Sequence, residues 1–250
     1  MQWLDLVLKH SGDDRHVMRS LDELADVFAA LAGDADVRVV LATGDGDYSF
    51  QDPAVDLVLE SRSDPSAQIH ALDVAHLTVQ RIIDLDKPLI SAINGPAFGV
   101  GTQVALLSDF VLAVDRAYFQ DPHVKLGVAA GDGGVAIWPL VMGLTQAKKY
   151  LLTGCRLSAA EAFKLGAISN LVAPNALASN ARALADELAA FPAYAVQMTK
   201  RALNQWIRAA SPTSFDYANA LQLASSLHPD SISRLDAIVG KNARRQLWDA

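Results

Sequence analysis

The chain has 250 residues, 51% of them hydrophobic and 20% charged. That is enough for one globular domain with a sizeable core. A net charge of -7 argues against nucleic acid or an anionic membrane as partner, because both require basic patches. Cys155 is the sole cysteine and cannot form an intrachain disulfide, no stretch approaches the ~20 apolar residues of a membrane span, and Met1–Asp5 does not open like a signal peptide. A cytoplasmic protein in reducing surroundings is expected.

Leu4–Leu8 is a short strand candidate. Val17, Leu21, Leu24, Phe28 and Leu31 recur at helical spacing and predict a helix over 17–32. Val37–Ala42 reads as a buried strand, and Thr43–Asp47 as a turn-rich loop. A helix over 66–84 carries Ile69, Leu72, Val79 and Ile82 on one side and stops at Lys87-Pro88. Leu89–Ile93 is the next strand. Asn94-Gly95-Pro96 turns the chain, and a glycine-rich helix start, Gly99-Val100-Gly101, runs on to Ser108.

Strands are expected at Phe110–Ala113 and Ala117–Phe119. The loop Gly131-Asp132-Gly133-Gly134 leads into an apolar helix toward Met142. Thr145 is read as the cap of the next helix. Ser158 with Glu161 suggests a capping box. A last strand covers Ile168–Val172, and the chain from Asn175 onward reads as helical. The expected division is a core over 1–174 and a helical region over 175–250. Apolar faces on that tail suggest self-association.

The chemistry-bearing stretch begins with a strand, a tight turn and a helix N-terminus. Such a terminus presents unpaired N–H groups that suit a developing oxyanion. Around it, Lys87–Gly101 continues through Ser108–Ala113, Phe119–Gly127, Gly131–Gly134, Leu152–Gly154 and Leu157–Ala162. In order and spacing these segments resemble the crotonase (enoyl-CoA hydratase/isomerase) superfamily over roughly residues 4 to 210.

The resemblance implies an α/β spiral of β-β-α units with a C-terminal helical trimerisation region, hence a homotrimer or homohexamer. It implies a small-molecule carbonyl substrate, a diketone or an acyl-CoA, whose enolate is held by two backbone N–H groups. By position these are Phe50 and Val100, with Gln51 beside the first. No cofactor is implied. No metal is either, because His70 and His76 make no cluster at ligand spacing.

At the two acid/base positions, where a hydratase of this family carries glutamates, the chain has Gln103 and His123. A neutral amide cannot accept a proton at useful pH, so two-glutamate hydration is not expected. Histidine titrates near neutrality and is a common general base. Asp132, nine residues on, can orient it.

Phe119–His123 with Gly131-Asp132-Gly133 and Trp138-Pro139 resembles the β-diketone hydrolase branch, 6-oxocamphor hydrolase among them. This implies retro-Claisen cleavage, with His123 activating water, Asp132 assisting, and Gln103, Gln51 and Trp138 around the substrate. An acyl-CoA hydratase, isomerase or lyase with unusual acid/base residues stays open, as does a catalytically silent binding or assembly subunit.

Overall fold

The computed structural model describes residues 3–8, 17–44 and 64–240. Phe50 and Gln51, two of the expected site residues, lie outside them.

Strand β1 (Trp3–Leu8) is followed by helix α1 (Val17–Gly33) and strand β2 (Val39–Gly44). Helix α2 (Pro65–Asp84) begins at Asp64, whose carboxylate accepts the N–H groups of Ser66 at 2.9 Å and Ala67 at 3.2 Å. Pro65 has no N–H to leave unpaired in that first turn. Strand β3 (Leu89–Ile93) is buried at every position. Strands buried at every position, as this one is although Ser91 is polar, belong in parallel sheets covered on both faces.

The sheet has strand order β1-β2-β3-β5-β8, where β5 is Phe110–Val114 and β8 is Asn170–Val172, and all its pairs are parallel. Each new strand lies beside the preceding one, so the chain advances in one direction as a spiral. After β3 the turn at Asn94–Pro96 sends the chain into β4 (Ala97–Phe98), which pairs with β6 (Tyr118–Gln120) in a second sheet completed by β7 (Leu157–Ser158). Helix α3 (Val100–Leu107) then returns the chain to β5. One strand to each sheet and then a helix is the β-β-α repeat, and the expected crotonase architecture is present.

The remaining elements are α4 (His123–Leu126), α5 (Gly134–Met142), α6 (Leu144–Thr153), α7 (Ala159–Leu165), a 3-10 turn (Pro174–Ala176), α8 (Leu177–Ala190), α9 (Ala193–Leu203), α10 (Gln205–Ser226) and α11 (Pro229–Gly240). Leu177, Ala181, Ala185, Ala189 and Phe215 from the helical region share one buried cluster with Val40, Ile90 and Leu112 of the sheet.

Three local expectations are corrected. Thr145 caps nothing, because α6 starts at Leu144 directly after Gly143, whose φ of 80° makes the break. Ser158 Oγ does accept the Glu161 N–H at 3.2 Å, but Glu161 reaches Lys149 Nζ at 3.0 Å. β8 starts at Asn170 because Gly166 (φ 78°) and the Ala167 N–H to Ala162 carbonyl bond still close α7 when the chain reaches Ile168. Among the described residues no helix is long and apolar enough to cross a membrane.

Candidate active site

Strand β6 ends at Gln120 and delivers Asp121, Pro122 and His123 to the mouth of α4. Pro122 adopts φ -89° and ψ -4°, a turn conformation that folds the Asp121 carboxylate back over the next residues. Asp121 Oδ1 therefore accepts the main-chain N–H of His123 at 3.2 Å and meets the ring Nδ1 at 2.6 Å. The ring is pinned from its own chain, two residues away.

The other ring nitrogen belongs to a different loop. His123 Nε2 lies 3.0 Å from Asp132 Oδ2. Asp132 has φ 48°, the one non-glycine residue with positive φ among those described. Asp tolerates the left-handed region better than most residues, yet it remains sparsely populated. Here it follows from the turn that closes at the Gly134 N–H to Gly131 carbonyl bond (2.8 Å) just ahead of α5. The Asp132 N–H is held by Asn219 Oδ1 of α10 at 3.0 Å. A Cβ at Gly131 would stand 1.7 Å from Gln222 Oε1, so a larger residue there would displace that amide.

His123 is only 4% exposed, and Asp121 and Asp132 are 1% and 5% exposed. Burial by itself pulls the imidazole pKa down. The Asp121 carboxylate, by charge and by hydrogen bond, and then Asp132 outweigh it, so the pKa stands well above the usual histidine value. An acceptor-only carboxylate on Nδ1 and another on Nε2 favour a proton on both nitrogens. The His123 ring is buried between two carboxylates that favour its charged form.

The consequence for stability has a definite sign. A cation favoured in the fold contributes its full stabilisation below the unfolded imidazole pKa, about 6.5. That contribution is lost as pH rises through the raised folded value. Urea midpoints measured from neutral to alkaline pH are expected to fall, and His123→Gln is expected to remove this part of the slope.

Behind Asp121 the chain of contacts continues inward. Gln103 Nε2 donates to Asp121 Oδ2 at 3.2 Å, and Trp138 Nε1 donates to Gln103 Oε1 at 3.1 Å. Gln103 and Trp138 are both 0% exposed. Both ends of the Gln103 amide and the Trp138 indole N–H, expected around the substrate, are engaged behind Asp121. Gly134 admits these groups, because a Cβ there would stand 2.8 Å from Asp121 Oδ2 and 3.0 Å from Gln103 Nε2. Val100 is buried and opens α3 after Gly99, whose φ is 55°.

Sequence reasoning missed three contributors. Asp121 stands inside the quoted motif, and its signal was an acid two residues before the histidine with a proline between. Asn219 and Gln222 come from α10, and Gln222 Nε2 lies 3.0 Å from His123 Nε2. No local signal pointed to either. Of the other histidines, His70 is exposed and His76 stacks on Phe215 with ring centroids 4.5 Å apart. Among the described residues no group of three potential metal ligands occurs.

A parallel-sheet spiral that presents a buried acid/base cluster defines a crotonase-type enzyme scaffold. Residues 18–235 match the enoyl-CoA hydratase/isomerase family. The carnitinyl-CoA dehydratase of Citrobacter koseri is 34% identical over 224 residues, 88% of this chain and 83% of that protein. The carnitinyl-CoA dehydratase of Escherichia coli K12 is 36% identical over 167 residues, 66% of this chain and 63% of its own length.

Among solved structures, an enoyl-CoA hydratase/isomerase from Mycobacterium paratuberculosis superposes with a TM-score of 0.83 at 30% identity, covering 92% of this chain and 93% of its own. A β-diketone hydrolase from Anabaena sp. PCC 7120, bound to (S)-3-oxocyclohexyl acetic acid, gives a TM-score of 0.77 at 28% identity over 84% of each chain. The chain belongs to the enoyl-CoA hydratase/isomerase family.

Proposed function

We propose that the chain hydrolyses a carbon–carbon bond of a β-diketone by retro-Claisen cleavage, with Asp132 as the group that handles the proton. One observation carries this reading. Asp132 Oδ2 lies 3.0 Å from His123 Nε2, and among the described residues no hydrogen bond to Asp132 Oδ1 occurs. Both ring nitrogens are occupied, so the ring has no free site at which to take a proton from water. This reverses the order of roles implied by the family resemblance. Asp132 meets the water, and His123 stands behind it as a fixed cation.

The steps balance with this single acid/base group. Asp132 Oδ1 takes a proton from water, and the hydroxide adds to one ketone carbon. The bond from that carbon to the central carbon breaks, leaving its electron pair on the departing enolate. The Phe50 and Val100 N–H groups hold the developing oxyanion. Asp132 returns its proton to the enolate carbon, giving a carboxylic acid and a ketone. The Anabaena β-diketone hydrolase, similar in fold and sequence, supports this reading. So does the amide at Gln103, where a second acid/base carboxylate would be needed for hydration.

The likeness to carnitinyl-CoA dehydratases favours a second reading, an acyl-CoA substrate worked by the same carboxylate. Assaying a panel of cyclic 1,3-diketones alongside crotonyl-CoA and carnitinyl-CoA separates the two. Turnover of a diketone, with ring opening to a keto acid seen by mass spectrometry, is the expected result. Thioester turnover with inert diketones replaces the first reading with the second. Coenzyme A thioester binding without any turnover rejects both in favour of a silent subunit.

A further inference from the structure

We propose that Asp121 is a positioning residue for this site: held by Gln103 and Trp138, it fixes the His123 ring and keeps it charged, so that Asp132 works against a permanent cation. The inference rests on the Asp132 reading for its catalytic meaning, but its physical content can be tested without turnover.

Three observations support it. Asp121 Oδ1 holds both the main-chain N–H and the ring Nδ1 of His123, which leaves the ring no freedom to turn over. Its other oxygen is held by Gln103, whose amide is oriented in turn by the Trp138 indole. The carboxylate is thus satisfied on both oxygens at 1% exposure, as a buried charge requires.

The third observation is Gln222. Its Nε2 lies 3.0 Å from His123 Nε2, while its Oε1 is buried without a partner among the described residues. Two donors cannot share a contact. A ring protonated on Nε2 therefore requires the Gln222 amide to present its oxygen there, which also gives that oxygen a donor.

The charged and titratable groups around the ring are few. Asp121 comes from the end of β6 and Asp132 from the loop before α5. Lys125 of α4 lies along Gly154, and Arg234 of α11 donates to the Lys125 carbonyl at 2.9 Å. Gln222 of α10 is uncharged. Of the charged groups among the described residues, only the two carboxylates bond the ring.

The test is NMR of protein carrying 15N-labelled histidine, with Asp121→Asn as the variant. In the wild-type protein both His123 nitrogens are expected to carry protons at about pH 7.5, a unit above the ordinary imidazole pKa. In Asp121→Asn the ring is expected to titrate at least about one pH unit lower, one carboxylate's worth of charge having gone. If the enzyme turns over a diketone, kcat is expected to fall at least tenfold with KM within about twofold, because a positioning loss appears mainly in the chemical step. The kcat pH profile is expected to gain an inflection at the ring's new pKa.

A variant ring that titrates like wild type overturns the proposal. Should the variant not fold, the wild-type spectrum decides, and one bare ring nitrogen at that pH overturns it. A charged ring in a protein that cleaves no diketone leaves the Asp121 assignment standing and removes only the substrate reading.

Discussion

Asp132→Asn is expected to lower kcat for carbon–carbon cleavage by about 10²–10⁴-fold, the usual contribution of a positioned acid/base group. The substitution is a clean one for physical reasons. Asparagine tolerates the left-handed backbone region as aspartate does, so the φ of 48° carries over without new strain. Its amide oxygen can still accept from His123 Nε2, which keeps the ring in place. The N–H held by Asn219 at 3.0 Å is main-chain and does not change. What disappears is the ability to take a proton, because an amide is not a base at useful pH. Steady-state kinetics on a diketone substrate, with circular dichroism as the control for folding, measure the effect. Retention of more than about a tenth of kcat would show that Asp132 is not the proton carrier, and a loss confined to KM would make it a binding group.

The sequence made the architecture legible because its apolar runs carry the period of the element they form. Val39–Ala42 is an unbroken apolar run and Leu89–Ile93 is apolar except for Ser91, and they became the buried parallel strands β2 and β3. Short elements escaped. Ala97–Phe98 and Leu157–Ser158 are two residues each, too brief for any period, and they are strands only because β6 lies beside them. The site was legible in part. His123 and Asp132 were singled out by their places in two motifs, and the fold sets them 3.0 Å apart.

The bond between Gln103 and Trp138 was not legible, because a polar side chain in a motif gives no sign of which partner it takes. Here each satisfies the other's buried hydrogen-bonding group. Gln222 lies 99 residues from the ring it touches, and contacts made by docking one helix onto another leave no mark on neighbouring residues. Asp121 was the avoidable omission, since an acid, a proline and a histidine in succession make a local turn whose geometry is predictable.

Lys200→Met is expected to cost about 3 kcal/mol of stability, the low end for breaking a buried ion pair because Asp109 keeps some contact with solvent. Lys200, on α9, is 6% exposed. Its Nζ lies 2.6 Å from Asp109 Oδ2 and donates to the Lys87 carbonyl at 2.8 Å. Asp109 Oδ2 also takes the Leu89 N–H at 2.7 Å, so the contact fastens the tail to the start of β3. Asn204 adds a bond to the Ile83 carbonyl at 2.9 Å.

Methionine preserves the apolar stem and leaves the Asp109 carboxylate without its cation. In a chain of this size the change should appear as a fall in Tm of about 6–12 °C. Adding Asp109→Asn should restore part of it, since the amide still accepts from Leu89 without a stranded charge. A shift under about 2 °C would mean the ion pair holds nothing.

The effect should also reach the site. Helix α10, which follows α9 after Asn204, carries Asn219 on the Asp132 N–H and Gln222 on the His123 ring. Loosening its anchor should lower kcat at temperatures where the protein is still folded, and the Lys200→Met, Asp109→Asn double variant should recover activity together with Tm. Recovery of Tm without recovery of kcat would separate the tail's docking from its reach into the site.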